Sequence, residues 1–137
     1  MASRRILIDT NVLVYSTFED SERHKEAVKV LTENDVVIPQ IVIYEYIWVL
    51  AKLTNNADLI KQKLEELKDF EIVKEEIEDI IKGVEMLKYD NKSLRMLNDY
   101  IILALAKRLN IGLATYDNNL IKAGIKNGVN IYKSFNP

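Results

Sequence analysis

A short apolar run that ends on a carboxylate is the feature that most constrains the fold. Residues 6–8 have strand propensity, and Asp9 follows them directly, with Thr10 and Asn11 as two further helix-capping residue types. The apolar residues 12–14 then continue without a turn residue between. This pattern predicts a central strand that passes straight into a helix, with Asp9 at its carboxyl end. Ligands bind at that edge of open α/β sheets, although a capping role alone also fits these polar residues.

Strand-like and helix-like segments alternate along the rest of the chain. Four further strands are predicted at residues 36–38, 70–73 (at an edge), 111–115 and 129–132. Helices are predicted between them over about 20–33 (capped by Ser21 or Asp20), 39–53, 56–68 (capped by Asn55 or Asn56), 75–88, from a start between 93 and 98 to 109, and 120–126. This alternation predicts a single domain, residues 1–137, in which helices cover both faces of a mostly parallel five-stranded sheet.

The composition excludes several kinds of active site. The chain has no cysteine and one histidine, His24, which lies among charged residues in a predicted first helical turn. A thiolate metal site is therefore excluded, and a Ser-His-Asp hydrolase or a histidine-rich zinc site is hard to build. We expect His24 to be an exposed helical residue rather than a ligand or base. The lack of cysteine also fits a reducing cytoplasm.

Charge and hydropathy are those of a soluble protein. The net charge of −2 gives no global attraction to nucleic acid, which does not exclude a nuclease with a local basic rim. The most apolar segment, residues 36–51, is shorter than the roughly 20 residues that span a bilayer. Only residues 6–8 separate the basic start from Asp9, too few for a signal peptide. We expect a cytoplasmic protein with no membrane segment.

Carboxylates are predicted to gather at one edge of the sheet. Asp9 and Asp117 directly follow predicted strands, so a parallel arrangement places both on the same rim. Asp99 opens the helix that leads into the strand before Asp117, where it could also serve only as a helix-dipole partner. Glu45, about two turns into an apolar helix, is the sole charge in residues 36–51; the alternatives are a salt bridge, for which Lys52 is the near candidate, or a carboxyl group that reaches the surface.

Such a group of carboxylates predicts a divalent-metal site. Carboxylates a few ångströms apart repel and raise one another's pKa unless a cation neutralises them. Oxygen ligands without cysteine or histidine favour Mg²⁺ or Mn²⁺. A metal of this kind activates a water molecule and orients a phosphate. Metal-activated water attacking a phosphodiester is therefore the simplest mechanism for a chain with no histidine base or cysteine nucleophile.

The ordered set of residues resembles the PIN-domain ribonucleases, and the size and element order look like the VapC-type toxins of prokaryotic toxin–antitoxin pairs. The resemblance extends over nearly the whole chain. It rests on Asp9-Thr10-Asn11, on Glu45 within the apolar helix, on residues 98–106 and on Thr115-Tyr116-Asp117.

The resemblance implies a three-layer α/β/α sandwich with strand order 3-2-1-4-5. It implies catalytic, metal-binding roles for Asp9, Glu45, Asp99 and Asp117, with Asn11 and Thr115 in support. It also implies a metal-dependent endoribonuclease that uses Mg²⁺ or Mn²⁺ to cleave single-stranded RNA, forms a homodimer and is inhibited by a cognate antitoxin. One departure is that family members often carry another acid two residues after the last aspartate, where this chain has Asn119. A weaker second metal site is the expected consequence.

Other functions stay open on the sequence alone. A non-catalytic module with the same fold would act through protein partners. Small-molecule phosphoryl transfer also uses an aspartate after a first strand, but the phosphatase pattern requires Asp-x-Asp and position 11 is Asn. Receiver domains require an aspartate after the third strand, where residues 70–74 offer only Glu71.

Two kinds of surface remain to be assigned. Tyr44, Tyr46 and Trp48 are predicted to help bury a dimer or antitoxin surface, with burial in the core as the alternative. Lys52 and Lys92, like Arg95, are chain neighbours of the acidic helices, although ordinary solvated side chains are the simpler interpretation. The substrate-binding residues are therefore left unassigned.

Overall fold

The structure, a computed structural model, describes residues 4–132. Its strands are β1 (Arg5–Ile8), β2 (Asp35–Pro39), β3 (Glu71–Val73) and β4 (Gly112–Ala114). Its α-helices are α1 (Thr10–Thr17), α2 (His24–Glu33), α3 (Gln40–Thr54), α4 (Ala57–Glu66), α5 (Ile77–Tyr89), α6 (Leu97–Leu109) and α7 (Asn118–Lys126). Short 3₁₀ turns at Leu67–Asp69 and Leu94–Met96 come before β3 and α6. None of the helices in this part of the chain is long and apolar enough to cross a membrane.

The sheet is parallel and has the order β3-β2-β1-β4. Leu7 at the centre of β1 lies opposite Val37 of β2 on one side and Leu113 of β4 on the other. The chain builds β2 and β3 to one side of β1 and then crosses to β4 on the other side. The strand order therefore reverses at the carboxyl end of β1, which is where parallel sheets form their ligand sites.

Helices cover both faces of the sheet, as predicted. Ile6, Leu7 and Ile8 are all buried, and successive side chains of a strand point to opposite faces. Both faces of β1 are therefore packed against other elements, which is why the strand consists of consecutive apolar residues rather than alternating ones. The predicted three-layer α/β/α architecture with β1 at its centre is confirmed.

The prediction of a fifth strand at residues 129–132 is wrong, since the sheet within residues 4–132 has four strands. Ile131 forms only an isolated parallel bridge with Leu113. The Leu113 N–H donates to the Asn130 carbonyl at 2.8 Å, and the Leu113 carbonyl accepts from the Tyr132 N–H at 2.8 Å. A single residue of the short strand β4 thus makes this pairing, and the chain occupies the predicted position in the sheet without a continuous ladder.

The predicted starts of two helices have different outcomes. The helix expected to begin at Asp20 or Ser21 begins at His24, and it has no side-chain cap. The Ser21 hydroxyl instead accepts from the Arg23 N–H at 3.2 Å and stabilises the preceding turn. By contrast, Asn56 caps α4 as predicted, by accepting from the Leu59 N–H at 3.1 Å.

Helix α3 is apolar all round but is not buried all round. Tyr46 lies in the core, whereas Tyr44 and Trp48 are 58% and 67% exposed. Burial in the core, the alternative considered for the three aromatic residues, therefore holds for Tyr46 and not for Tyr44 or Trp48. One face of α3 packs on the domain and the opposite face presents aromatic rings to its surroundings.

Helix α6 is held close to α5 because Gly83 has no side chain. A Cβ at Gly83 would lie 3.0 Å from the backbone N and Cα of Ile101. Ile101 belongs to the buried middle of α6, so it has no room to retreat. This close approach fixes the spacing of α5 and α6 two residues from Asp99.

Replacing Gly83 with Ala should therefore destabilise the fold. Overpacking costs about 1–3 kcal/mol, which exceeds the gain of about 1 kcal/mol from a better helix former. We expect the midpoint of thermal unfolding, followed by circular dichroism, to fall by several degrees. Lys82→Ala, at the exposed neighbouring position of α5, is the control and should leave the midpoint nearly unchanged. A midpoint for Gly83→Ala at or above that of the wild type would contradict this packing argument.

Candidate active site

Asp9 is a buried carboxylate that links three elements. Its side chain is 6% exposed, at the carboxyl end of β1. One oxygen, Oδ1, accepts from the Thr10 N–H at 2.8 Å, so Asp9 does cap α1. The other oxygen, Oδ2, accepts from the Thr115 hydroxyl at 2.8 Å, beyond the end of β4. The capping interpretation is therefore correct but incomplete, because half of the carboxylate is turned across the sheet.

Asn11 and Thr115 join the ends of β1 and β4. The Asn11 amide nitrogen donates to Asp9 Oδ2 at 3.3 Å and to the Thr115 hydroxyl oxygen at 3.4 Å. The Asn11 side-chain oxygen accepts from the Tyr116 N–H at 3.2 Å. The Thr115 oxygen also accepts from the Asp117 N–H at 3.1 Å. Each polar atom of this pair thus has a partner, and the loop after β4 is fixed relative to Asp9.

Asp117 is the N-cap of α7, as its position after a strand predicts. Its Oδ1 accepts from the Asn119 N–H at 2.8 Å and from the Leu120 N–H at 3.4 Å. The side chain is half-buried. Because its own N–H is held by Thr115, Asp117 stands on the same rim as Asp9.

Glu45 reaches the rim from α3. Its Oε1 accepts from the Thr10 hydroxyl at 3.0 Å, and it also forms a side-chain hydrogen bond with Asn98 at the start of α6. Burial and the charge of Asp9 raise the pKa of Glu45, and the two hydrogen bonds oppose this shift. The predicted alternative, a salt bridge to Lys52, is not among the ion pairs of residues 4–132.

Asp99 is influenced by the charges of the other three acids. It lies half-buried in the first turn of α6. Burial, and after it the neighbouring charges of Asp9, Asp117 and Glu45 in that order, together raise the pKa of Asp99 to about 7. Burial likewise raises the pKa of Asp9, with a smaller contribution from Asp117, against the hydrogen bonds from Thr115 and Thr10. The four acids found from the sequence therefore share one electrostatic field.

The four acids share an electrostatic field but do not form a complete set of metal ligands. Within the part of the chain that the structure describes, no group of three or more Asp, Glu, His or Cys side chains is arranged so that it could hold a metal ion. The acids are close enough to raise one another's pKa but do not converge on a single point.

Some residues of the site were not found by sequence reasoning. Thr10 was predicted only as a helix-capping residue, yet its hydroxyl donates a hydrogen bond to Glu45. The guanidinium of Arg23 lies 4.5 Å from the centre of the Tyr116 ring, which packs edge-on against Tyr15 at 5.1 Å. His24 is half-buried rather than exposed, and its Nδ1 pairs with the Tyr15 carbonyl at 2.9 Å. No local pattern signals these contacts, because each joins segments that are distant in the sequence or depends on a turn.

The sequence matches the family described as PIN domain over residues 6–126, a range that includes all four acids. The chain belongs to the PIN domain family. The predicted resemblance is thereby confirmed, and comparison with curated protein sequences gives no further match.

Solved structures share the fold of this PIN domain from end to end. FitAcB from Neisseria gonorrhoeae is 23% identical with a TM-score of 0.73, over 96% of this chain and 99% of that one. VapC20 from Mycobacterium tuberculosis, a toxin that cleaves the sarcin–ricin loop, is 15% identical with a TM-score of 0.72, over 87% and 95%. VapBC2 from Rickettsia felis, bound to a fragment of its promoter DNA, is 19% identical with a TM-score of 0.71, over 93% and 97%. At these identities the similarity establishes the fold.

The raised pKa of Asp99 predicts how the stability of the metal-free domain depends on pH. The folded domain keeps a proton on Asp99 up to about pH 7, whereas the ordinary pKa is 3.8. The stability that this proton contributes is fully present below the ordinary pKa and is lost as the pH rises through about 7. In EDTA, the unfolding midpoint should therefore fall between acidic and mildly alkaline pH.

Asp99→Asn should make this fall shallower, because the amide is neutral throughout. A residual slope is expected from Asp9 and Glu45, whose pKa values are also raised. Glu85→Gln, an exposed change on α5, should keep the wild-type slope. A pH profile of Asp99→Asn as steep as that of the wild type would show that Asp99 is not the protonated group.

Proposed function

We propose that this PIN domain is a metal-dependent endoribonuclease that cleaves single-stranded RNA as the toxin of a toxin–antitoxin pair. The observation that carries the proposal is the field shared by Asp9, Glu45, Asp99 and Asp117, in which burial and mutual repulsion raise the pKa of Asp99 to about 7. A site of this kind lowers the stability of the fold. A bound cation removes the repulsion while the carboxylates stay ionised, whereas a proton removes it by neutralising one of them. Membership of the PIN domain family supports a nuclease.

The donor set fits a hard divalent cation. All four acidic side chains offer oxygen, and no cysteine is present in the chain. Asp9, Glu45, Asp99 and Asp117 would hold Mg²⁺ or Mn²⁺. When bound, such an ion lowers the pKa of a coordinated water and offsets negative charge on a phosphodiester. Because Asn119 stands where family members often carry another acid, one well-held ion is the expected occupancy.

The chain's own polar groups hold the acids in place for this chemistry. Thr115 and Asn11 fix Oδ2 of Asp9, and Thr10 fixes Oε1 of Glu45. A carboxylate held in this way loses little freedom when it binds a cation, so the site is organised before substrate arrives. In the metal-free site at neutral pH, Asp99 is protonated in some molecules and ionised in the others, since its pKa is about 7.

We further infer that the domain forms a homodimer and binds a cognate antitoxin. The toxin–antitoxin complex from Klebsiella pneumoniae, which is 22% identical with a TM-score of 0.64, supports the antitoxin by its shared fold. The exposed rings of Tyr44 and Trp48 on α3 supply apolar area of the kind that interfaces bury. Tyr46 was expected to belong to the same surface, but it lies in the core with its hydroxyl 2.6 Å from that of Thr17.

Asp9→Asn and Asp99→Asn should each reduce RNA cleavage by at least about 100-fold, the order of magnitude lost with one preorganised electrostatic contact. Wild-type protein would be incubated with single-stranded RNA in Mg²⁺, Mn²⁺ or EDTA, and the products resolved on a denaturing gel. We expect cleavage in either metal and none in EDTA.

Glu85→Gln removes an exposed carboxylate of α5 and serves as the matched control. It should cleave at the wild-type rate. Full activity of a purified Asp9→Asn protein would refute the proposed role of the acids. Failure of the wild type to cleave any RNA in either metal, with partner binding intact, would favour the non-catalytic binding module.

Trp48→Asp should shift the domain from dimer to monomer, because a charge at the centre of a dry interface is costly. Light scattering at several protein concentrations would measure the mass. Ile125→Asp, at a residue 60% exposed on α7, is the control and should leave the mass unchanged. A wild type that stays monomeric at high concentration would contradict the homodimer.

A further inference from the structure

A small basic cavity lies beside the acids. It has a volume of about 260 Å³ and lies between the start of α6 and one side of α7. Three of the side chains that line it are lysines: Lys92, Lys122 and Lys126. The chain as a whole has a net charge of −2, so this concentration of positive charge is a local feature. We call it the lysine cavity.

The lysine cavity adjoins the candidate active site. Asn119 lines the cavity, and its N–H donates to Asp117 Oδ1 at 2.8 Å. Tyr100 lines the cavity from the other side and directly follows Asp99 in α6. Asn119 thus contacts both the cavity and Asp117, and Tyr100 joins the cavity to Asp99 along the chain.

The cavity carries positive charge in excess of its single carboxylate. Asp90 is buried, and its Oδ2 accepts from the Tyr100 hydroxyl at 2.7 Å and from Asn127 Nδ2 at 3.0 Å. Lys126 Nζ lies 3.2 Å from Asp90 Oδ1 and balances this charge. A ligand of the cavity therefore meets the ammonium groups that Asp90 does not neutralise.

Lys92 and Lys122 supply that surplus charge. Both are exposed, and neither is among the ion pairs of the residues that the structure describes. Asn119 adds no charge to the part of the cavity beside Asp117. An anion is the ligand that this arrangement attracts.

Part of the wall is apolar. Met96 is half-buried, Ala123 is buried, and both line the cavity together with Tyr100. Such a wall suits a sugar or base better than a bare inorganic ion. The volume is at the small end of the roughly 300–1,000 Å³ of most ligand pockets and therefore suits a single nucleotide rather than a longer segment.

We propose that the lysine cavity binds one backbone phosphate of the RNA strand, with its nucleoside against Met96 and Ala123, next to the position of cleavage. Lys92 and Lys122 make the phosphate contacts, and Lys126 stays with Asp90. The proposal rests on the proposed function, since it assigns the position of one nucleotide of the RNA substrate beside the four acids.

Binding can be measured apart from cleavage. Asp99→Asn protein in EDTA would be titrated into a fluorescein-labelled single-stranded RNA of mixed sequence, and the anisotropy recorded at several salt concentrations. Adding Lys92→Gln and Lys122→Gln together should weaken binding about 10-fold or more at low salt. The slope of log affinity against log salt should fall by about 0.7 for each lysine removed.

The matched control carries Lys29→Gln and Lys61→Gln, two exposed lysines on α2 and α4. It should keep the affinity and slope of its parent. In the otherwise wild-type protein with Mg²⁺, the Lys92/Lys122 pair of substitutions should raise KM for RNA and leave kcat nearly unchanged, because these side chains bind the strand away from the reacting atoms. Unfolding midpoints equal to the parent's would exclude a folding defect.

The two proposals fail in different ways. An RNA affinity and salt slope that match the Lys29/Lys61 control would overturn the lysine cavity while cleavage by the wild type continued. The absence of any RNA binding would overturn it as well. Lysine-dependent binding without metal-dependent cleavage would instead refute the endoribonuclease and retain the cavity as a strand-binding site.

Discussion

The way in which Asp9 is held at the end of β1 determines the rest of the site. A carboxylate that is 6% exposed needs compensation, and it receives hydrogen bonds from the Thr10 N–H and the Thr115 hydroxyl. These two partners also place the other acids, because Thr10 holds Glu45 and Thr115 holds the N–H of Asp117. The same contacts bring negative charges together. The fold therefore keeps the acids in mutual repulsion that hydrogen bonding alone does not remove. A proton or a cation can relieve this repulsion.

The parts of the site that could be predicted from the sequence are those with local signals. A strand followed at once by a capping residue identifies Asp9 and Asp117, and parallel topology then brings the two strand ends together. Glu45 was found because an isolated charge in an apolar helix requires a reason. The start of α2 was not found, because Ser21 satisfies a turn as readily as a helix end. The fifth strand was overestimated, because β4 offers it only the pairing at Leu113.

The remaining contacts join residues far apart in the chain and have no local signature. Thr10 and Glu45 are 35 positions apart, and the packing of α1 on α3 makes them neighbours. Glu45 therefore pairs with Thr10 and not with Lys52, which is its near neighbour in the chain. Gly83 likewise gives no sign in the sequence that it allows α5 to reach the backbone of Ile101. The sequence placed Tyr44, Tyr46 and Trp48 together at an interface and could not separate buried Tyr46 from exposed Trp48, since an apolar helix surface has the same composition whether the domain or a partner covers it.

Asp90 has a mechanical consequence for the acids. It accepts from Tyr100 on α6 and from Asn127 just after α7, and it pairs with Lys126. Asp99 and Asp117 thus belong to helices that are clamped as one block. The buried Asp90 side chain therefore sets the spacing of two of the acids from behind the rim, without touching either of them.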